Sequence, residues 1–332
     1  MKKNIAIAAL ASVIFAFTQS AACAQQAPQS KSEEPVGEFS GFGVKVSRGN
    51  YYFAKSAIMV FGTQWGSAVQ TPEELDQRTW EDLLLSYEAF RRGIKVEDKE
   101  FEEELTKMLK AEKVSFDWQK APDAYAKWIK DKTQEPRELF ENQLRHLIQL
   151  RKLRQQVMDG ISPQVNEEEA FQEFLNEYNT LSVEMAQFEN LEAAKSFYAK
   201  IKNKPKLWEK EIKENPRLFR KPGFVALEFL MEMWKFPKDD LYKMLGLDIG
   251  AVYPPIPIYS GKFGVCRIME KRLADKEQFP KLKQSYYAQI EMKKKYGALA
   301  AWFQKLKDDA KIKVYKEAEI IPKAEGKDQK AP

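Results

Sequence analysis

From Thr71 to Tyr178 the apolar residues recur at the three-and-four spacing of helices, and beyond Thr180 that spacing changes. The chain is therefore expected to build a helical region first and a sheet-containing region after it, an α+β fold that is mostly helical. Thr71-Pro72-Glu73-Glu74 supplies a cap, a proline at the first helical position and two acids in the first turn. Trp80, Leu83, Leu84, Tyr87 and Phe90 then line one face, and Gly93 ends the helix. A second helix follows Val96-Glu97-Asp98 through Phe101, Leu105, Met108 and Leu109, and a third runs from Pro122 to Lys130. The longest of this group spans Pro136 to Met158 and is stopped by Gly160 and Pro163. Glu167-Glu168-Glu169 opens one more, its charges complementing the helix dipole.

After Thr180, Ser182 to Phe188 alternates as a strand, Leu191 to Ile201 reads as an amphipathic helix, and Gly223 to Leu230 is strand-like. Phe229 to Lys271 continues with a short amphipathic helix, a proline-rich hairpin and a strand after Lys262-Phe263-Gly264. A long final helix runs from Phe279 to Lys311. Two segments before Thr71 are read from pattern alone. Gln25 to Glu38, rich in Gln, Pro, Ser and Glu, reads as a disordered tether. Phe42 to Val46 and Tyr51 to Phe61, on either side of Arg48-Gly49-Asn50, read as a hairpin or short edge strands.

The first residues carry an export signature. Lys2-Lys3 precede an apolar run from Ile5 to Phe17, and Ala22-Cys23-Ala24 gives an A-x-A cleavage pattern before Gln25. That run is too short for a stable membrane span, so the mature protein is expected outside the cytoplasm with no transmembrane segment. Ser20-Ala21-Ala22-Cys23 is also a degraded lipobox, which makes a lipid anchor at Cys23 the alternative to a soluble periplasmic protein. Cleavage after Ala24 leaves Cys266 as the lone cysteine and excludes an internal disulfide. Losing Lys2 and Lys3 takes the net charge from +5 to +3. Acids and bases are interleaved along the chain, which argues against a nucleic-acid partner.

Two stretches resemble known families. TWEDLLLSYEAFRRGIKVEDKEFEEEL, with Leu84, Leu85, Ala89, Gly93, Ile94, Val96 and Asp98 in order, resembles the N-terminal helical domain of SurA-, PpiD- and PrsA-type foldases. Leu153, Arg154, Val157, Ile161, Pro163, Val165 and Glu169 match a later run of the same family. Gly250-Ala251-Val252, Pro255-Ile256 and Phe263-Gly264-Val265-Cys266-Arg267-Ile268 resemble the C-terminal half of a parvulin-type prolyl isomerase domain. The resemblance implies a SurA-like helical chaperone domain over residues 41–179 and an inserted, degenerate parvulin-like α/β domain over 180–272. A C-terminal helix over 273–317 would return to the helical domain. Residues 1–24 would be the leader, 25–40 a linker and 318–332 a disordered tail.

Parvulins use two facing histidines. The sole histidine here is His146, on a helix away from the sheet, and Cys266 stands where the family keeps one of its pair. Glu184-Met185-Ala186 stands where the other would fall, so no catalytic residue is assigned. What the resemblance still implies is an apolar substrate pocket at Phe236, Leu241 and Cys266. Alternation points Arg267 away from Cys266, and a thiol without a base beside it is expected to act as a small apolar residue. No metal-ligand spacing occurs, and no metal or cofactor is expected. The expected function is an extracytoplasmic folding chaperone that binds unfolded or nascent secreted or outer-membrane polypeptides. Met108, Met158, Trp118 and Trp128 are of the adaptable type that suits a groove for many clients. The alternatives are a weak prolyl isomerase acting by desolvation and a structural periplasmic subunit with one dedicated partner.

Overall fold

The computed structural model describes residues 34–62, 69–202 and 204–315. The expected leader, the lipid anchor at Cys23, most of the tether and the tail after Ala318 lie outside these residues. The fold is α+β and mostly helical, and no helix among the described residues is long and apolar enough to cross a membrane. In chain order come β1 (Pro35–Phe39), β2 (Val44–Ser47), α1 (Arg48–Phe61), α2 (Pro72–Arg91), α3 (Asp98–Ala111), α4 (Pro122–Thr133), α5 (Arg137–Asp159) and α6 (Glu167–Tyr178). They are followed by β3 (Thr180–Phe188), α7 (Leu191–Ile201), α8 (Pro205–Glu214), β4 (Phe219–Arg220), β5 (Phe224–Ala226), α9 (Leu227–Met233) and α10 (Lys238–Leu245). The chain closes with β6 (Val252–Pro257), β7 (Phe263–Arg272), α11 (Phe279–Ala310) and β8 (Ile312–Val314). Two compact units result, one of residues up to Ser162 with those from Tyr296 onward, the other of Pro163–Lys295.

The first unit is built on α2 and α5. Leu84 and Ala89 of α2 and Leu150 and Leu153 of α5 are fully buried in one core, joined by Leu306 and Ala310 of α11. Each such leucine contributes about 1.5–3 kcal/mol on removal from water. A second core gathers Phe101 and Leu105 of α3, Tyr125 and Ile129 of α4, and Phe140 and Leu144 of α5. Two sequence expectations fail in this unit. Pro35–Phe39 is a strand rather than part of a tether. It lies between β2 and β8 in a three-stranded antiparallel sheet, with Gly37 opposite both Val46 and Val314. Its polar composition hid the fact that Val36 and Phe39 are 3% and 1% exposed. Gly37 is required there, because a Cβ would lie 2.4 Å from the Trp80 ring and 2.5 Å from the Lys313 carbonyl oxygen. Tyr51 to Phe61 is likewise not a strand. The Ser47 hydroxyl accepts the Asn50 amide at 3.2 Å and caps α1. Tyr51, Ala54, Ala57 and Phe61 are its buried residues, at helical and not alternating spacing.

In the second unit an antiparallel sheet of order β4-β3-β7-β6 is crossed on both faces by helices, with β5 also pairing β3. β3 and β7 pair along their whole length, from Thr180↔Arg272 to Phe188↔Phe263, with an irregularity between Ser182 and Val183. One face buries Leu181, Val183, Met185, Cys266 and Ile268 under α9 and α10. The other buries Ala186 and Val265 with Phe197 of α7 and Trp208 of α8. The strand expected from Gly223 to Leu230 is only three residues long. It turns into α9 because Leu227 and Leu230, three apart, both enter the core. The edge strand β6 reads Val-Tyr-Pro-Pro-Ile-Pro, and its register with β7 shifts between Tyr253 and Ile256, around the Pro254-Pro255 pair. A third cluster joins Phe174 of α6 to Phe279, Tyr286 and Ile290 of α11.

Candidate functional site

The first unit carries an open apolar groove of about 610 Å3. One wall comes from the β1–β2 hairpin and the start of α1, through Phe39, Val46 and Phe53. The opposite wall is the end of α2 and the segment after it, through Tyr87, Phe90 and Ile94. That segment is fixed by a specific turn. The Ile94 amide donates to the Ala89 carbonyl at 3.0 Å and the Gly93 amide to the Phe90 carbonyl at 2.9 Å, a Schellman closure with Gly93 at φ +66°. Two side chains of α5 then hold the extended stretch. Gln149 Nε2 donates to the Ile94 carbonyl at 2.7 Å and Lys152 Nζ to the Lys95 carbonyl at 2.6 Å. Phe90 is left 56% exposed at the mouth.

His146, which also lines the groove, meets Asp82 Oδ1 through Nε2 at 2.6 Å, and its ring stands edge-on to Phe53 with centroids 5.5 Å apart. His146 and Asp82 also border a smaller cavity of about 200 Å3, together with Arg154 and Phe303. Burial pulls the Arg154 guanidinium below its ordinary pKa, and the charge of Asp82 works against that pull. Glu88, on the buried side of α2, shows the opposite balance. Burial works to raise its pKa, but bonds from Arg91 Nε and Arg92 Nε, both 2.7 Å, outweigh it and leave the carboxyl below the usual range.

The residues expected to line a pocket in the sheet unit are brought together, inside the core. Phe236 is 2% exposed, and Leu241 and Cys266 are fully buried. They pack in one cluster with Met185 and Tyr253, which flank Cys266 on its two neighbouring strands. The Tyr253 hydroxyl donates to Asp240 Oδ1 at 2.7 Å. Burial pushes the Cys266 thiol pKa well above its ordinary value, so it has no thiolate character at neutral pH. Arg267 points to the other face, as alternation predicts. There it meets Glu184, which also accepts Trp208 Nε1 at 3.0 Å and lies 2.5 Å from Lys221 Nζ, while Arg267 reaches Glu209 at 2.7 Å. Among the described residues no group of three His, Cys, Asp or Glu side chains is placed to hold a metal ion.

Of the aromatic residues singled out for a client groove, Trp118 and Trp128 pack against the α3–α4–α5 core and do not line the groove. The residues that do line it include Phe39 and Phe53, from segments read as tether and strand. The signal that marks Phe53 is the Ser47 cap followed by apolar residues at helical spacing, whereas Phe39 has none.

No family model matches the chain, and no curated protein matches it. Among solved structures it is similar to one of two SurA-like chaperones of Campylobacter jejuni, PEB4 and Cj1289. The likeness has 15% identity and a TM-score of 0.32, over 77% of this chain and 92% of that one. It is also similar to the peptidylprolyl isomerase PrsA of Bacillus cereus, with 14% identity and a TM-score of 0.38, over 86% and 96%. PrsA of Bacillus anthracis aligns with 13% identity and a TM-score of 0.36, over 71% and 99%. Likeness at these TM-scores fixes no function.

Proposed function

We propose that the chain is an extracytoplasmic folding chaperone whose helical unit holds apolar segments of unfolded secreted or outer-membrane polypeptides in the groove beside Phe90. The observation that carries this is a solvent-open cleft of about 610 Å3 with an aromatic floor and Phe90 56% exposed at its mouth. Contiguous apolar surface left open on a soluble protein marks a place where another apolar surface docks. A floor of Phe and Tyr rings offers area and shape without demanding one sequence, which suits many clients. The address rests on the Lys2-to-Ala24 signature, with a lipid anchor at Cys23 as the membrane-attached form.

A weak prolyl isomerase is the second reading. Its support is the convergence of Phe236, Leu241 and Cys266 on one apolar cluster, a setting that would desolvate a prolyl carbonyl and lower the barrier of about 18–20 kcal/mol. Against it, all three residues are buried, so a client proline would first have to open the core.

Two assays on the full chain separate the readings. The first follows aggregation of an unfolded outer-membrane protein with and without the chain. Suppression is expected, weakened about tenfold in effective concentration by Phe90→Asp, which places a charge in the groove mouth. The melting temperature of the variant should match the parent, since Phe90 is exposed. The second follows cis/trans isomerisation of a short X-Pro peptide. Acceleration lost on Phe236→Ala would establish the isomerase reading instead. Suppression of one protein alone among many tested would point to a dedicated partner.

A further inference from the structure

The lip of the groove differs from its floor in a way that names a class of client. Lys45, Lys95 and Arg145 line the groove, and among the described residues no carboxylate does. Arg145 is paired with Asp98 at 2.8 Å. Lys45 and Lys95 are exposed and have no carboxylate within ion-pair reach among the described residues. Glu38, opposite Lys45 on the hairpin, feels the charge of Lys45 but bonds Lys313 at 3.1 Å, so one carboxylate answers two lysines. Gln149, also in the lining, donates its amide to the Ile94 carbonyl. The groove thus has an apolar interior, an excess of positive charge at its edge and, among the described residues, no carboxylate in its lining to meet a cation from a ligand. An apolar wall beside a charge lowers the local dielectric and strengthens that charge's pull on an incoming anion.

Resting on the groove reading above, we infer that the groove takes segments in which aromatic or aliphatic side chains are flanked by Asp or Glu, and discriminates against the same segments flanked by Lys or Arg. The apolar centre sits on the Phe and Tyr floor, and the flanking carboxylates meet Lys45 and Lys95. The discrimination comes as much from repulsion of a basic flank as from attraction of an acidic one.

The test uses the full chain and three fluorescent peptides that share one aromatic–aliphatic centre, with flanks of Asp and Glu, of Ser and Gly, or of Lys. Anisotropy at low salt should rank them acidic, neutral, basic, with about a tenfold span between the extremes for two edge charges. The span should narrow at about 0.5 M salt, where the Debye length falls to a few ångströms. Lys45→Gln with Lys95→Gln should cut it to less than about threefold. Lys127→Gln, on the exposed side of α4 outside the groove, should leave it intact. Equal binding of the three peptides, or a span that survives the double substitution, overturns this inference and leaves the groove reading standing. Absence of binding by every peptide overturns both.

Discussion

At Glu184 burial and charge oppose each other most directly. Its carboxylate is 5% exposed on the helix-covered face of the sheet, and it is met by Lys221, Arg267 and Trp208 Nε1. Burial alone would raise its pKa, but the bonds from Lys221 and Arg267 outweigh burial, so the folded carboxyl lies below its unfolded value of 4.5. A group with a depressed folded pKa contributes stability that is complete above the unfolded value and is lost as pH falls through the folded one. Unfolding of the second unit should therefore become easier below about pH 4.5. Glu184→Gln leaves the buried Arg267 with only the exposed Glu209 as its carboxylate partner, while Lys221 is open to water, and should cost about 1–3 kcal/mol at neutral pH. That variant should lose less than the parent between neutral pH and pH 3, because its side chain no longer takes up a proton. Urea unfolding followed by hydrogen exchange at the β3 and β7 amides at both pH values measures the two losses. A parent and variant that lose equal stability in acid would remove Glu184 from this role.

Among the elements, β1 carries the clearest consequence of close packing. The carbonyl of Lys313 and the ring of Trp80 both occupy the space a Cβ at Gly37 would need. Gly37→Ala should therefore cost about 1–3 kcal/mol as overpacking, and detach β8 from β1 before the rest of the unit opens. Limited proteolysis should cut the variant near Lys311–Lys313 first. An uncut, fully stable variant would show that the strand has room to shift. The helices α2, α3 and α5 were readable from their spacing because each keeps one apolar stripe for a whole run of turns. α1 was not, since Tyr51-Tyr52-Phe53 at its start mimics a strand, and the deciding signal is the single hydroxyl of Ser47. β1 was hidden because its partners come from both ends of the chain. Local composition cannot show that Gly37 pairs with Val314.

For the molecule as a whole, the change of period near Thr180 marks where α6 gives way to β3, while the small sheet of β1, β2 and β8 and the turn of Leu227 to Met233 into α9 had no such signal. The groove was legible only in part. Tyr87 and Phe90 stood out on a helix face and Phe53 follows the Ser47 cap, whereas Phe39 joins them through a tertiary arrangement with no local signature. Charge was legible in amount but not in effect. Several of the ion pairs among the described residues join two exposed partners, for example Lys99 with Glu103 and Lys195 with Glu192, and such pairs contribute about 0–1 kcal/mol each. The melting temperature should accordingly move by only about 2–4 °C between ~0.05 and ~0.5 M sodium chloride. A larger fall would mean that the exposed pairs act as a network. The edge strand β6 has one last consequence. Pro254, Pro255 and Pro257 leave three of its six residues without an amide proton. An extended stretch of another polypeptide arriving on that side finds too few donors to lengthen the sheet, so the fold resists being recruited as a seed for cross-β growth. In the chaperone role proposed above, that edge would keep the protein out of the deposits it is meant to delay.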